Sequence, residues 1–250
     1  MPNAMIATPA WPPKSLPRLF VKTQLGQSVT VALDGAKANY LGNVMRLKQG
    51  DAVLLFDGAN GEWLAKVVDA GKKRMTLVVA ERTREQERVP DLTLAFAPVK
   101  RAQTDWLVEK STELGIARLQ PVMTRRTVAE RVKLERLQSI AVEAAEQCNR
   151  TSLPAIVEPV NLGAFLKGRD PVATLYFADE NGGERASAAF KPGPAVILTG
   201  PEGGFADEER DLVRAQPNAV AVSLGPRILR AETAALAAIA TWMAVAGDWQ

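Results

Sequence analysis

The chain has 250 residues, 47% hydrophobic and 24% charged with a net charge of +3, which is room for one large domain or two smaller ones and leaves no apolar run long enough to span a bilayer. Histidine is absent and Cys148 is the single cysteine, so His-based triads, His-ligated or cysteine-built metal sites and an internal disulfide are excluded. Any chemistry must rest on carboxylates, arginines, lysines, hydroxyls, backbone amides or an organic cofactor, with no metal expected, and a lone cysteine without a secretion signal fits a reducing cytoplasm.

Residues 1–16, "MPNAMIATPAWPPKSL", are Pro-rich and lack a basic start followed by an apolar core, so they read as a loose extension rather than a signal peptide. Residues 17–82 read as a small β-rich unit. "RLFVK", "SVTVAL", "DAVLLFD", "EWLAKVV" and "RMTLVVAE" are short β-branched runs separated by the turn signals Leu25-Gly26, "KQGD", "DGANG" and "AGKKR". Between the second and third runs, Ala38, Leu41, Val44 and Met45 recur at helical spacing and predict one short helix. Several short strands with one helix point to a small barrel. Residues 1–88 carry 13 Lys+Arg against 8 Asp+Glu, a balance of +5, whereas residues 89–250 carry 18 against 20. A basic bias in one part of a chain is what a polyanion partner requires, although a solvated basic surface gives the same count. The charged stretch "RTREQERVPD" closes on Pro90, and residues 83–90 read as a linker.

Residues 91–250 change rhythm. "LTLAFAP" is an apolar strand, and "QTDWLVEKSTELG" a helix pattern with Gly115 as its C-terminal cap. "IARLQPV" is a strand. "RVKLERLQSIAVEAAEQCN" is a helix with Leu134, Leu137, Ala141, Ala144 and Cys148 on one stripe. There follow "VATLYF", "AVILTG", the helix "DEERDLVRAQ", "AVAVSLG" and the long helix "AETAALAAIATWMAVAG". Apolar strands alternating with helices predict a parallel sheet covered on both faces.

Two loops leave the carboxyl ends of such strands, where ligands of α/β sheets bind. "TGPEGGF" follows Leu198 and "LGPRILRAET" follows Ser223. The first matches neither the dinucleotide fingerprint nor a phosphate loop. By itself it is either a structural turn or a place where backbone must approach a ligand closely. The second, with Arg227, Arg230, Glu232 and Thr233 at a helix start, is unusually polar for a crossover connection.

"DWLVEKSTELG", "EAAEQCNR", "LTGPEGGF" and "LGPRILRAETAALAA", in that order, resemble the motifs of the RsmE-type bacterial 16S rRNA uridine-N3 methyltransferases of the SPOUT superfamily. "PRLFV" and "NYLGNVMRLKQGD" resemble that family's PUA-like RNA-binding barrel. The resemblance implies a PUA-like β-barrel followed by an α/β methyltransferase domain with a trefoil knot. It implies S-adenosylmethionine (SAM) as cofactor, a homodimer, and transfer of a methyl group to N3 of a specific uridine in the decoding region of 16S rRNA on the small ribosomal subunit. By carry-over, SAM is held by Leu198, Thr199, Gly200, Glu202, Gly203, Gly204, Ser223, Leu224, Gly225, Ile228, Leu229, Arg230, Thr233 and Ala234. The glycines would let backbone meet the cofactor without intervening side chains.

With no histidine, the proton acceptor is Glu202, Glu232, water or substrate phosphate, and Arg230 is expected to stabilise charge on the uracil carbonyls or to brace one of those glutamates. Glu143, Gln147, Asn149 and Arg150 are expected to brace the knot or the dimer. RNA contacts are expected from Arg18, Arg46 and Lys48 in the barrel and from Lys100, Arg101, Arg125 and Arg126 in the second domain. Ala206 stands where the family usually has Ser, and Asp207 is expected to cap the helix instead. The rival readings are a SPOUT methyltransferase acting on another RNA such as tRNA, and an inactive RNA-binding protein.

Overall fold

A computed structural model describes residues 16–71, 74–128, 131–179 and 181–249. The expected N-terminal extension, apart from Leu16, lies outside the described residues. The chain divides into two compact units, 1–87 and 88–250. The division falls within residues 83–90, although strand continues through Arg84.

The first unit contains β1 (Arg18–Phe20), β2 (Thr30–Asp34), α1 (Gly35–Asn39), β3 (Ala52–Phe56), β4 (Glu62–Ala70) and β5 (Arg74–Arg84). These strands form one sheet in the order β1-β3-β4-β5-β2, parallel between β1 and β3 and antiparallel elsewhere. Alternate residues point inward, as period-two patterning requires. Leu19, Val31, Leu33, Val53, Leu55, Ala65, Val67, Met75, Leu77 and Val79 bring all five strands into one core.

The predicted helix departs from the α form. After α1 the chain makes a π-helical turn over Tyr40–Val44, closed by the Met45 N–H donating to the Tyr40 carbonyl at 2.9 Å. The wider turn breaks the spacing of three and four on which the sequence pattern depends. Ala38 and Leu41 are buried, whereas Val44 and Met45, expected on the same face, are 62% and 40% exposed.

Arg18 is not free to meet RNA. Its Nε donates to Glu62 at 2.5 Å, with both side chains about 6% exposed, and its guanidinium lies 4.0 Å from the centre of the Phe56 ring. Arg84 adds two bonds to Glu62, at 3.1 and 3.0 Å, and the Thr83 hydroxyl another at 3.0 Å. Burial opposes ionisation of Glu62, but the bonds from Arg84 and Arg18 outweigh it and hold its pKa below the ordinary glutamate value. A depressed carboxylate pKa contributes stability above the unfolded-state pKa, and that contribution is lost as pH falls through the folded value. Glu62→Gln is therefore expected to destabilise this unit by about 3 kcal/mol at neutral pH, since it leaves buried arginine charge unpaired. Urea titrations from pH 7 down to below the ordinary glutamate value check this. The wild-type advantage over the variant should shrink on the acid side, and a constant gap would contradict the assignment.

The second unit runs β6 (Leu92–Phe96), α2 (Arg101–Glu113), β7 (Arg118–Met123), α3 (Leu134–Gln147), β8 (Ala155–Ile156), β9 (Val160–Asn161), α4 (Leu162–Gly168), β10 (Thr174–Ala178), β11 (Glu184–Arg185), α5 (Ala186–Ala189), β12 (Ala195–Thr199), α6 (Asp207–Arg214), β13 (Ala219–Ser223) and α7 (Ala231–Val245). Its sheet has the order β11-β13-β10-β12-β6-β7-β8, parallel throughout, with β9 pairing the end of β7. Both faces are covered. Leu92, Leu94, Phe96, Tyr176 and Ile197 pack with Leu107 of α2, Leu137 of α3 and Trp242 of α7. Ala95, Leu175, Phe177, Val196 and Leu198 pack on the other face with Phe165 of α4 and Val213 of α6. This two-sided burial is why these strands read as unbroken apolar runs.

Local signals account for the helix ends. Gly115 takes φ +91° after α2, and its N–H donates to the Thr112 carbonyl at 3.1 Å. Ala206, not Asp207, occupies the N-cap of α6, and Asp207 is the first helical residue. The cap lacks a side-chain oxygen, so Glu209 answers from inside the helix, accepting from the Ala206 N–H at 3.0 Å. The β10–β11 connection lies directly on β13, where a Cβ on Gly183 would meet the Ala221 carbonyl carbon at 2.4 Å. Among the described residues, no helix is long and apolar enough to cross a membrane.

Candidate active site

The strand order decides where the site lies. From β10 the chain runs out to the edge strand β11, comes back past β10 to β12, and then crosses β10 again to β13. The loops after β12 and β13 therefore emerge on either side of β10, at the carboxyl edge of the sheet. A reversal of this kind is the switch point at which open α/β sheets bind ligands.

A cleft of about 570 Å³ opens there. The first loop contributes Thr199, Gly200, Pro201, Glu202, Gly204 and Phe205, and the second contributes Ser223 through Arg230, after which Ala231 and Ala234 of α7 close one side. Of the fourteen residues carried over for the cofactor, eleven line the cleft. The other three are Leu198, fully buried in the sheet core, and Gly203 and Thr233, both exposed. Ile228, at the rim, is 94% exposed.

The three glycines of "GPEGG" do different jobs. Gly204 takes φ +68° and closes a turn by donating to the Pro201 carbonyl at 2.9 Å. Gly200 leaves room for the Phe205 ring, which a Cβ would meet at 3.1 Å. Gly203 has neither constraint, and a Cβ there would touch only the Arg126 side chain, at 3.5 Å. In the second loop, Gly225 takes φ +116°.

Two arginines expected to meet RNA hold the first loop. Arg126 donates to the Gly203 carbonyl at 2.7 Å. The Arg125 N–H donates to Glu209 at 2.8 Å, and its guanidinium pairs with Glu208 at 2.8 Å. Glu209 thus ties the start of α6 to the segment after β7. Arg150 is buried and donates to the Thr112 and Ile116 carbonyls at 2.7 and 3.1 Å, which fixes the end of α2. Glu143, Gln147 and Asn149 are exposed.

Arg230 is the N-cap of α7, lines the cleft, and has no ion-pair partner among the described residues, so the expected alternative of a brace to Glu202 or Glu232 does not form. Glu202 lines the cleft and is exposed. Glu232, next to the lining residue Ala231, is only 7% exposed, and its Oε2 meets no hydrogen-bond donor. A buried carboxylate oxygen left in this state is costly unless a proton or a ligand satisfies it.

Sequence reasoning missed the third loop of the cleft, after β10. Asp179 lines the cleft with its side chain 1% exposed, pairing with Arg214 at 2.7 Å and Arg210 at 3.3 Å, and Gly182 beside it takes φ +100°. The signal was present: "ADENGG" follows an apolar strand just as "TGPEGG" does.

An α/β sheet with a backbone-lined cleft at its switch point, beside a separate β unit, matches two family models. One describes an RNA methyltransferase domain and covers residues 85–243, and the other describes an RNA methyltransferase PUA domain and covers residues 33–80. The chain is 33% identical to ribosomal RNA small subunit methyltransferase E of Rickettsia conorii over 89% of this chain and 93% of that one. It is 37% identical to the Synechocystis protein of the same name, over 89% and 76%. Its fold is similar to that of ribosomal RNA small subunit methyltransferase E from Neisseria gonorrhoeae, solved bound to S-adenosyl methionine, with a TM-score of 0.87 at 28% identity over 94% and 100% of the two chains. The chain belongs to the ribosomal RNA small subunit methyltransferase E family.

The glycine geometry makes a prediction independent of activity. Gly204→Ala and Gly225→Ala force a Cβ into left-handed backbone, which costs roughly 1–2 kcal/mol. Gly203→Ala should stay within about 0.5 kcal/mol of wild type. Thermal unfolding of the three variants checks the order, and equal losses at Gly203 and Gly204 would overturn it.

Proposed function

We propose that this cleft binds SAM and that the protein methylates N3 of a uridine in small-subunit ribosomal RNA, in the decoding region. The observation that carries the reading is the meeting of two glycine-bearing loops, with Arg230 unpaired, in one cleft of about 570 Å³. The volume lies within the roughly 300–1,000 Å³ of small-molecule sites. The residues fit such a cofactor: left-handed Gly204 and Gly225 leave backbone bare at the cleft wall, and Thr199, Ser223 and main-chain groups supply a few polar contacts among apolar ones. When bound, SAM supplies a methyl group on a positively charged sulfur.

The rest falls to this chain's own groups. The loops hold the reacting partners in line, which is worth up to roughly 7–11 kcal/mol of a barrier. Uracil N3 is a weak acid, and an arginine keeps its charge at every workable pH. Arg230 beside the uracil favours its anionic form. Asp179 is held by Arg210 and Arg214, which leaves Glu202, in the cleft lining, and Glu232, beside the lining residue Ala231 with an oxygen still lacking a donor, as the carboxylates to accept the N3 proton. In the same reading, residues 17–82 bind RNA through the exposed Arg46 and Lys48, residues 83–90 link the domains, and residues 91–250 carry the chemistry. Lys100 and Arg101, both exposed, add RNA contacts from the second domain. The protein acts as a homodimer in the cytoplasm, where its substrate is.

Arg230→Ala is expected to cut single-turnover methyl transfer to small ribosomal subunits by a factor of roughly 10²–10³, the loss typical of one oxyanion donor. SAM affinity by calorimetry should change far less, because backbone supplies most of that contact. Arg230→Lys should recover part of the rate, since a point charge cannot reproduce the planar fork. The residual activity of Arg230→Ala should rise with pH more steeply than that of wild type, as the base ionises unaided. Normal turnover with a parallel pH profile would return Arg230 to a purely structural role.

A further inference from the structure

A second cavity, of about 260 Å³, lies where α2 and α3 begin. Its floor is apolar: Val99 and Leu137 are buried, and Val132 is half-buried. Its rim is basic. Among the described lining residues the charges are Lys100, Arg101, Arg131, Lys133 and Arg136 against Asp105 alone. Asp105 is already taken, since Arg136 holds both its oxygens at 2.6 to 3.0 Å. Lys100, Arg101, Arg131 and Lys133 have no ion-pair partner among the described residues, and Lys100, Arg101 and Lys133 are exposed. Lys100 borders this cavity and the methyl-transfer cleft alike, so the two adjoin.

Four unpaired cations around an apolar floor want a ligand that is anionic and flat-faced at once. Nucleic acid strand has that chemistry: phosphates for the rim, a base for the floor. The volume is below the roughly 300–1,000 Å³ of pockets that enclose a whole small molecule, which suits one base of a longer strand. The helix ends agree with this charge pattern. Both α2 and α3 start at a lysine with no capping side chain, so their first N–H groups face outward without a side-chain acceptor.

We propose that this cavity seats a nucleotide of the RNA strand beside the target uridine, its base on Val99, Val132 and Leu137 and its phosphates against Arg101 and Lys133. The proposal rests on the RNA methyltransferase reading of the adjoining cleft. It gives that cleft a register, because the strand must pass Lys100 in going from one cavity to the other.

The helix positions make a clean test available. Lys133→Asp places a good capping residue at an N-cap, and Arg101→Glu places an acid in a first helical turn, so both changes favour the helices they sit on. The probe is a small-subunit rRNA transcript, titrated against the full-length double variant and wild type at several salt concentrations, with SAM affinity by calorimetry alongside. We expect rRNA affinity to fall at least tenfold. The slope of log affinity against log salt should become shallower by about 0.7 for each phosphate of single-stranded RNA that the variant no longer neutralises. SAM affinity should stay within twofold. Wild-type affinity and slope in the variant would overturn the proposal while leaving the cleft reading intact. A change in oligomeric state by sedimentation, with rRNA affinity per protomer unchanged, would overturn it by making this face a subunit contact. If wild type itself neither binds nor methylates the transcript or the small subunit, both readings fail.

Discussion

The constraint on which the site depends is the placement of β12 and β13 on either side of β10. Parallel strands deliver all their outgoing loops to one edge of the sheet, but loops that leave neighbouring strands in sequence merely run side by side. Here the chain steps across β10 and comes back, so the glycine-bearing loops of two consecutive strands face each other over the end of a third. The apolar packing on both faces of the sheet holds that order. The loops can then be polar and bare, because they are not asked to stabilise the fold.

Bare loops still need anchoring, and the structure supplies it with paired charge in and around the cleft wall. Arg126 holds the Gly203 carbonyl, and Glu209 bridges the Ala206 and Arg125 N–H groups. Arg210 and Arg214 converge on the buried Asp179 below the third loop. Bonds with an ionised partner are stronger than neutral ones, and a buried set is less screened than a surface pair. Arg230 stands apart from this network. It shares the wall with these groups yet has no ion-pair partner among the described residues, which keeps its charge available to a substrate.

Much of this was legible in the sequence. Period-two runs marked the five strands of the first unit, and unbroken apolar runs marked the central strands of the second. The glycine loops were visible because Gly and Pro cluster directly after apolar strands. What was not legible has physical causes. A π-helical turn leaves no composition signature, so Val44 and Met45 read as core and turned out exposed. Arg18 counted as one more surface cation, because its partners Glu62 and Phe56 are distant in sequence and meet it only through strand pairing. Arg125 and Arg126 look like an RNA-binding pair when charges are merely counted, and only the fold brings them to the "GPEGG" loop. Short elements such as α4, capped by Asn161, lack the length for periodicity to show.

The central claim is that the two glycine-bearing loops together form the SAM site, and hydrogen exchange of the full-length protein with and without SAM tests it most directly. Backbone amides of residues 199–206 and 223–230 should become protected together on adding SAM, with little change across β1 to β5. Unchanged exchange in both loops under conditions where calorimetry shows SAM bound, or protection confined to another part of the chain, would contradict it.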